Sequence, residues 1–152
     1  MLAQVKRTTL KVRDLDKSIP FYKDVLGMTK YYDDKITLSG DLLPGGQKGD
    51  VTRLVIMKGD DPIIGMIGLL QWIDPIPDAP EIDYTFDFGK PVFVAQVADV
   101  KQTYKAAKKF GSKIMAPLSE SEYPGASGNI VRVRSVGVFD PDGHFFECNQ
   151  RL

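Results

Sequence analysis

Glu147 is the residue whose type and setting most directly suggest chemistry. It lies in the segment DPDGHFFE, between Phe146 and Cys148, in an otherwise apolar stretch near the end of the sequence. Strand alternation would place Glu147 on the same face as Phe145 and Asn149. If that face lines a pocket, the carboxylate is partly buried and needs a partner. Such a carboxylate can serve as a general acid or base.

The other reactive side chains near Glu147 favour structural interpretations. His144, the only histidine, is three residues from Glu147, so the two point to opposite faces of a strand. The run Asp140–Gly143 predicts a hairpin turn, because proline presets the first central position and glycine supplies a positive φ. We therefore interpret His144 as a hairpin residue. Cys148 has no histidine on its strand face to activate it and is interpreted as a buried structural thiol.

The elements that must position Glu147 follow from periodicity. Residues 4–12 alternate, with Thr8, Leu10 and Val12 on one face and Arg7, Thr9 and Lys11 on the other, which predicts a strand. A helix follows, capped by Asp14 or Asp16 and stopped by Gly27. Three further strands are predicted, at 28–36, VTRLVIMKG and IIGMIGLLQWI, the first two separated by the loop SGDLLPGGQKGD. The proline- and acid-rich residues 74–90 predict a connector.

The second half repeats this order. Val12-Arg13-Asp14 corresponds to Val97-Ala98-Asp99, 85 positions later. A helix ending at Gly111 and three strands follow, with ESEYPGASGN read as a loop. The repeat predicts an α+β fold of two βαβββ modules in one domain: module one at about 1–73, the connector at about 74–90 and module two at about 91–152.

Bulk composition restricts the partners. The 152 residues carry 20 Lys and Arg against 20 Asp and Glu, which argues against nucleic acid and against an anionic membrane surface. No apolar run approaches the length of a membrane span. A single cysteine makes no internal disulfide and indicates a reducing, cytoplasmic setting. The expected partner is a small molecule.

Three stretches together resemble the vicinal oxygen chelate superfamily, which includes glyoxalase I, extradiol dioxygenases, fosfomycin-resistance enzymes and bleomycin-binding proteins. They are RTTLKVRDLDKSIPFYKDVLGM, VFVAQVADVKQTYKAAKKFGSKI and VGVFDPDGHFFECNQ. The resemblance implies two βαβββ modules whose sheets curl around a cleft, and it implies a homodimer, because many members dimerise.

The resemblance also identifies four positions that hold metal ligands in metal-using members. Here the two first-strand positions hold Arg7 and Val92, and the last strand of the second module holds Glu147. The last strand of the first module presents either Gly68 or, with a shift of three residues, Gln71. A guanidinium cannot coordinate a cation and valine has no lone pair. We therefore expect no metal and no other cofactor; if a metal binds, its ligands are Glu147 and Gln71.

Glu147 and Arg7 are the predicted catalytic residues, and we expect them to approach one another within one chain or across a dimer. A purely structural ion pair is the alternative. Strand parity and the resemblance add candidates for substrate binding: Thr9, Gln71, Val92, Gln96, Tyr123 as a lid residue, and Arg132, which shares a face with Arg134.

Three functions follow from these observations. The first is a glyoxalase-like lyase or isomerase that acts on a small polar organic molecule without the usual metal and uses Glu147 as acid or base. The second is a protein of the bleomycin-resistance type that sequesters a small molecule without turnover. The third is a divalent-metal-dependent lyase or dioxygenase with displaced ligands. A fold alone does not decide among chemistries.

Overall fold

The computed structural model describes residues 2–152, which form two compact units. One unit contains the residues up to Lys23 together with Gly27–Glu81, and the other contains Asp24–Leu26 together with Ile82–Leu152. Each unit is built around a four-stranded mixed sheet. This architecture confirms the predicted α+β class with two βαβββ modules.

The first unit contains strand β1, a short helix and three further strands. The elements are β1 (Arg7–Lys11), α1 (Leu15–Pro20), β2 (Thr29–Thr37), β3 (Val51–Lys58) and β4 (Met66–Asp74). Helix α1 continues directly into a π-helical turn at Phe21–Val25. The strand order is β1-β4-β3-β2, with β1 parallel to β4 and the remaining pairs antiparallel.

The second unit has the same order of elements. They are β5 (Val92–Gln96), α2 (Val100–Phe110), β6 (Ile114–Pro124), β7 (Ile130–Phe139) and β8 (Phe145–Arg151). The strand order is β5-β8-β7-β6, and β5 is the parallel partner of β8. Each first strand therefore pairs with the last strand of its own unit, which is the arrangement that the internal repeat predicts.

Matching aspartates begin the two helices. The Asp14 carboxylate accepts a hydrogen bond from the backbone N–H of Asp16 at 2.9 Å, and the Asp99 carboxylate accepts one from the N–H of Lys101 at 2.9 Å. Both satisfy donors that a helix start leaves unpaired. Helix α2 ends at Gly111, whose φ of 85° is the left-handed conformation that glycine adopts without strain.

One face of each sheet packs under the helix of its unit. In the first unit Val55 and Leu69 are paired across β3 and β4 and are fully buried. In the second unit Val136 and Cys148 hold the same relation across β7 and β8. Burying such side chains contributes about 1.5–3 kcal/mol each. On the opposite face of the first sheet, a second apolar cluster contains Leu54, Ile56, Met66, Leu70 and Trp72.

One loop prediction is wrong. Strand β6 runs as far as Pro124, so the ESEYP part of the expected loop ESEYPGASGN is strand. Cross-strand ion pairs extend this ladder, because Glu120 faces Arg134 and Glu122 faces Arg132 in the register of β6 and β7. The polar composition of ESEYP suggested a loop. The segment is a strand instead, and its glutamates pair with arginines on the neighbouring strand.

The expected connector has no helix or strand between Asp74 and Val92. None of the helices in residues 2–152 has the length and apolar character needed to cross a membrane.

Candidate functional site

Arg7 and Thr9 lie beside a glycine that leaves them room. In the parallel pairing of β1 with β4, Thr9 is in register with Gly68. A Cβ atom on Gly68 would lie 2.8 Å from Thr9 Oγ1 and 3.2 Å from Arg7 Cδ. The side chains of Arg7 and Thr9 therefore occupy the space that a side chain at position 68 would need.

A hydrogen bond orients the Arg7 guanidinium. Arg7 Nε donates to Thr9 Oγ1 at 3.1 Å. A guanidinium carries five N–H donors in a planar fork, so this bond leaves both terminal NH₂ groups for a ligand. Arg7 forms no ion pair with another described residue of its own unit. The arrangement is a fixed positive charge with donors suited to a carboxylate or phosphate.

The Arg7–Thr9 pair lines a cavity of about 550 Å³ in the first unit. Ile56 and Met66 provide an apolar wall from β3 and β4, and Tyr31 of β2 also contributes. Pro62 and Ile63, in the loop between β3 and β4, line another side, and Gln4, Val5 and Lys6 precede Arg7 in the lining. This volume lies within the usual range for small-molecule sites, and the lining combines apolar and polar side chains in about equal number.

Most of these wall residues were absent from the sequence prediction. Alternation indicated that Arg7 and Thr9 share a face, but only strand order brings Ile56 and Tyr31 to the same cavity. Pro62 follows the turn-forming GDDP segment, and Ile63 was predicted to begin the strand IIGMIGLLQWI, but that strand begins at Met66 and leaves Ile63 in the loop.

Glu147 lies in the middle of β8 and is half-buried. It is in register with Val94 of β5 on one side and with Gly137 of β7 on the other. Asn149 Nδ2 donates to Glu147 Oε1 at 3.2 Å. The predicted sharing of a face by Phe145, Glu147 and Asn149 agrees with this bond. The Asn149 amide orients the carboxylate, and Val94, which is 65% exposed, leaves the β5 side open.

Gly68 and Glu147 are equivalent positions of the two units. Gly68 is in register with Thr9, and Glu147 is in register with Val94, which is 85 positions after Thr9. The alternative assignment to Gln71 is excluded by the position of that side chain. Gln71 Oε1 accepts a hydrogen bond from the backbone N–H of Leu15 at 2.8 Å, so Gln71 faces α1 and not the Arg7 cavity.

Gln150 repeats the role of Gln71 and was missed by the sequence interpretation. Its Oε1 atom accepts a hydrogen bond from the N–H of Val100 at 3.2 Å, at the start of α2. Each unit therefore uses a glutamine on its last strand to cap its helix. The sequence contained a signal for this role, because Gln71 is three residues after Gly68 and Gln150 is three residues after Glu147.

Val92 and Gln96 lie on β5, two residues to either side of Val94, and so share its face. Val92 is half-buried and in register with Phe145, and Gln96 is exposed and in register with Asn149. Both are thus on the side of the sheet that carries Glu147, as alternation predicted.

Arg132 does not share that face. Arg134 is in register with Gln150, whose side chain faces α2, and Arg132 is two residues away on the same side of β7. The guanidinium of Arg132 pairs with Glu122 at 3.0 Å and with Glu120 at 3.7 Å. The predicted role of Arg132 in substrate binding has no support in this arrangement, in which both of its partners are carboxylates of the neighbouring strand.

Tyr123 lies in strand β6, in register with Val131, and is 44% exposed. A lid residue in a loop was expected here. A side chain on a hydrogen-bonded strand moves much less than a loop side chain, so the structure does not favour a lid at this position.

His144 and Cys148 have the structural environments that the sequence indicated. The carboxylate of buried Asp140 accepts hydrogen bonds from the backbone N–H of Asp142 at 2.9 Å and of His144 at 2.8 Å, and its Oδ2 lies 3.0 Å from His144 Nδ1. These bonds hold the turn between β7 and β8. Burial, with a smaller contribution from the charge of Glu147, raises the pKa of the Cys148 thiol to about 12, which makes it a poor nucleophile.

The donor set does not fit a divalent metal. Of the four positions identified by the resemblance, Arg7 is a cation, Val92 and Gly68 offer no side-chain donor, and Glu147 alone carries one. Gln71, the remaining candidate, already uses its amide oxygen to cap α1. Metal catalysis of this type needs three or four protein ligands and an open position.

The comparisons with known proteins agree with the fold. Residues 4–148 match the model of the Glyoxalase/Bleomycin resistance protein/Dioxygenase superfamily. No curated protein sequence matches the chain. A glyoxalase family protein from Bacillus cereus aligns over 100% of this chain and 96% of its own, at 15% identity and a TM-score of 0.81.

Two other solved structures are similar at lower scores. The trypanothione-dependent glyoxalase I of Leishmania major covers 98% of this chain and 87% of its own, at 23% identity and a TM-score of 0.61. TioX from Micromonospora sp. ML1 covers 99% of this chain and 100% of its own, at 16% identity and a TM-score of 0.59. At these identities the structures show a shared fold.

Proposed function

Because the chain belongs to the Glyoxalase/Bleomycin resistance protein/Dioxygenase superfamily, we propose that it is a glyoxalase-like enzyme that acts on a small organic anion without a catalytic metal. The observation that carries the proposal is the Arg7–Thr9 pair above Gly68. Of two positions that hold metal ligands in other members, one carries the Arg7 cation, and the other is Gly68, whose side-chain space Arg7 and Thr9 occupy. Such a cation binds an anionic substrate directly.

Arg7 has a clear chemical role in this proposal. Its terminal NH₂ groups hold a carboxylate or a developing oxyanion, and Ile56 and Met66 provide an apolar wall for the rest of the substrate. We propose Glu147 of the second unit as an acid–base group, since a positioned carboxylate of this kind moves protons in isomerases and lyases. The hydrogen bond from Asn149 supports this role by orienting the carboxylate.

A thermal-shift screen tests the binding part. Small organic carboxylates and phosphonates are compared with their neutral amides, using the native protein and Arg7→Gln. A ligand at a hundred times its Kd stabilises the native state by about 2.7 kcal/mol. Aliphatic anions should therefore raise the Tm of the native protein but not that of Arg7→Gln. Arg132→Gln is the matched control, because that arginine already has carboxylate partners. Equal shifts by amides and acids would refute the proposal.

Proton exchange tests the catalytic part without knowledge of the product. Anions that bind are incubated with the protein in deuterated water, and loss of C–H signals is followed by NMR. Glu147→Gln should retain binding and lose exchange. Metal analysis of the same preparations completes the test. A stoichiometric divalent metal that disappears in Glu147→Gln would overturn the metal-free mechanism.

A sequestering protein is the second candidate. The apolar part of the wall of the Arg7 cavity, which includes Ile56, Ile63 and Met66, supports it, since such a surface binds a ligand without any acid or base. Anion binding through Arg7 with no proton exchange would favour this function over the enzyme.

We also propose that the protein is a cytoplasmic homodimer. A lone cysteine fits a reducing compartment, and dimers are common in the superfamily. Light scattering of the purified protein gives the mass that tests the dimer.

A further inference from the structure

A second cavity lies at the carboxyl ends of β1 and β4. Its volume is about 420 Å³, which is also within the range of small-molecule sites. Lys11, Trp72 and the proline-rich segment 76–80 line it. Its lining shares no residue with that of the Arg7 cavity, so the proposed substrate site does not account for it.

Trp72 is held in one orientation at this cavity. Its indole N–H donates to Asp50 Oδ2 at 2.9 Å, and the side chain belongs to the buried cluster of the first sheet. The ammonium of Lys11 lies 4.0 Å from the centre of the Trp72 ring. The ring face attracts the cation, so the ammonium has a defined position in the lining.

Lys11 keeps its hydrogen-bonding capacity in this position. An ammonium has three N–H donors and an aromatic face satisfies none of them as an oxygen acceptor would. Within residues 2–152, Lys11 has no ion pair within 4.0 Å and no side-chain hydrogen bond, and its charge acts at longer range on the Asp50 carboxylate that Trp72 binds. Arg13 differs, because its guanidinium donates to the carbonyl oxygen of Pro80 and so links segment 76–80 to the end of β1.

The rest of the lining is mainly apolar. Ile76, Pro77, Ala79 and Pro80 contribute hydrocarbon surface, and Asp78 is the acidic residue of the lining. We propose that this cavity is a separate binding site for a small aromatic carboxylate. The carboxylate binds the Lys11 ammonium, and the aromatic ring packs against Ile76 and the proline rings. A single negative charge on the ligand limits its repulsion from Asp78.

The test uses the fluorescence of Trp72, which is the only tryptophan of the chain. The native protein is titrated with benzoate and, in parallel, with benzamide, which has the same shape and no charge. Benzoate should change the emission in a saturable manner, and benzamide should bind at least about tenfold more weakly, since a hydrogen bond to a charged group contributes about 1.5–3 kcal/mol. No saturable response to benzoate, or equal responses to both, would overturn the proposal.

Four variants locate the effect. Lys11→Gln should weaken benzoate binding about tenfold because it removes the positive charge, and Lys11→Arg should largely retain binding because it keeps that charge. Asp78→Asn should strengthen binding because it removes a negative charge near the carboxylate. Arg7→Gln should leave the titration unchanged, which separates this site from the proposed function. Thermal unfolding of each variant confirms that it folds. If Arg7→Gln abolishes the fluorescence change while Lys11→Gln does not, benzoate occupies the other cavity and the proposal fails.

Discussion

Gly68 and Glu147 occupy the same place in the two units, but one position has no side chain and the other has a carboxylate. Gly68 lies beside Thr9 on the last strand of the first unit, and Glu147 lies beside Val94 on the last strand of the second. The empty position is filled by Arg7 and Thr9. The two equivalent positions therefore differ in charge, since the second unit has a carboxylate there and the first unit has none but has the Arg7 cation nearby, which is the basis of the proposal for an anionic substrate.

Gly68→Ala tests whether anion binding requires the absence of a side chain at position 68. The added methyl group would lie 2.8 Å from Thr9 Oγ1 and 3.2 Å from Arg7 Cδ, so these exposed side chains must shift. We expect a stability loss of about 1–3 kcal/mol, because the β-branched Thr9 side chain has few alternative rotamers, and a clear loss of anion binding in the thermal-shift screen. Gly59→Ala is the control, since a methyl group there meets no atom within 4 Å. Unchanged anion binding by Gly68→Ala would contradict the assigned site.

Gln71→Ala and Gln150→Ala should destabilise the protein to a similar extent. Each removes the acceptor for the first N–H of a helix, Leu15 in one unit and Val100 in the other. We expect each to lower the free energy of unfolding by about 1 kcal/mol in urea denaturation. Gln71→Ala should leave anion binding intact, because its side chain faces α1. Gln102→Ala, on the exposed surface of α2, is the control for the effect of a Gln→Ala change on stability. Weaker anion binding by Gln71→Ala would support the predicted role of Gln71 in substrate binding.

The Cys148 thiol should be inert in the folded protein. Burial and the Glu147 charge raise its pKa from 9.0 to about 12. At about pH 8 we expect iodoacetamide to modify the unfolded chain in urea and not the native protein, as mass spectrometry would show. Rapid modification of the native protein would show that the strand opens readily.

The same thiol makes stability depend on alkaline pH. Between about pH 9 and about pH 12 the unfolded chain loses this proton while the native state keeps it. The contribution of Cys148 is therefore complete below the unfolded pKa and falls as pH rises towards the folded pKa. Chemical denaturation should show a smaller alkaline decline for Cys148→Ala than for the native protein.

The ionised Asp33 carboxylate should stabilise the folded protein, and this stabilisation should be lost in acid. Arg53 donates to both of its carboxylate oxygens at 2.8 Å, and this hydrogen bonding, assisted by Lys30, lowers the pKa of Asp33 well below its usual range. The stabilisation is present above the unfolded pKa of about 3.9 and is lost as pH falls through the folded pKa. Asp33→Asn should cost about 1 kcal/mol near neutral pH, given the partial exposure of the pair, and this difference should shrink below about pH 4.

Asp34→Asn is the control for that measurement. Asp34 is exposed, and its carboxylate accepts a hydrogen bond only from the N–H of the next residue, Lys35, in the described contacts. An equal loss of stability in both variants would show that the Arg53 bridge has no special contribution.

Several features could be predicted from local sequence because they depend on neighbouring residues. The alternation of Leu10 and Val12 with Arg7 and Thr9 defined the two faces of β1 before any partner strand was known. Asp14 and Gly111 marked helix ends through the backbone conformations that their side chains favour. The 85-residue spacing of the repeat predicted two βαβββ modules, since similar order of elements requires similar pairing.

Other features depended on the register between distant strands, which no single segment encodes. Whether Gly68 or Gln71 corresponds to Glu147 was open until β1 was paired with β4, because a shift along a strand exchanges its two faces. The same pairing places Met66 beside Arg7, and the pairing of β3 with β4 adds Ile56 to the same cavity. On the second sheet, register placed Arg132 beside Glu122 and away from the face of Glu147. Sequence thus determined which side chains share a strand face, and tertiary structure decided which faces meet, because that choice is made by packing and hydrogen bonds between residues far apart in the chain.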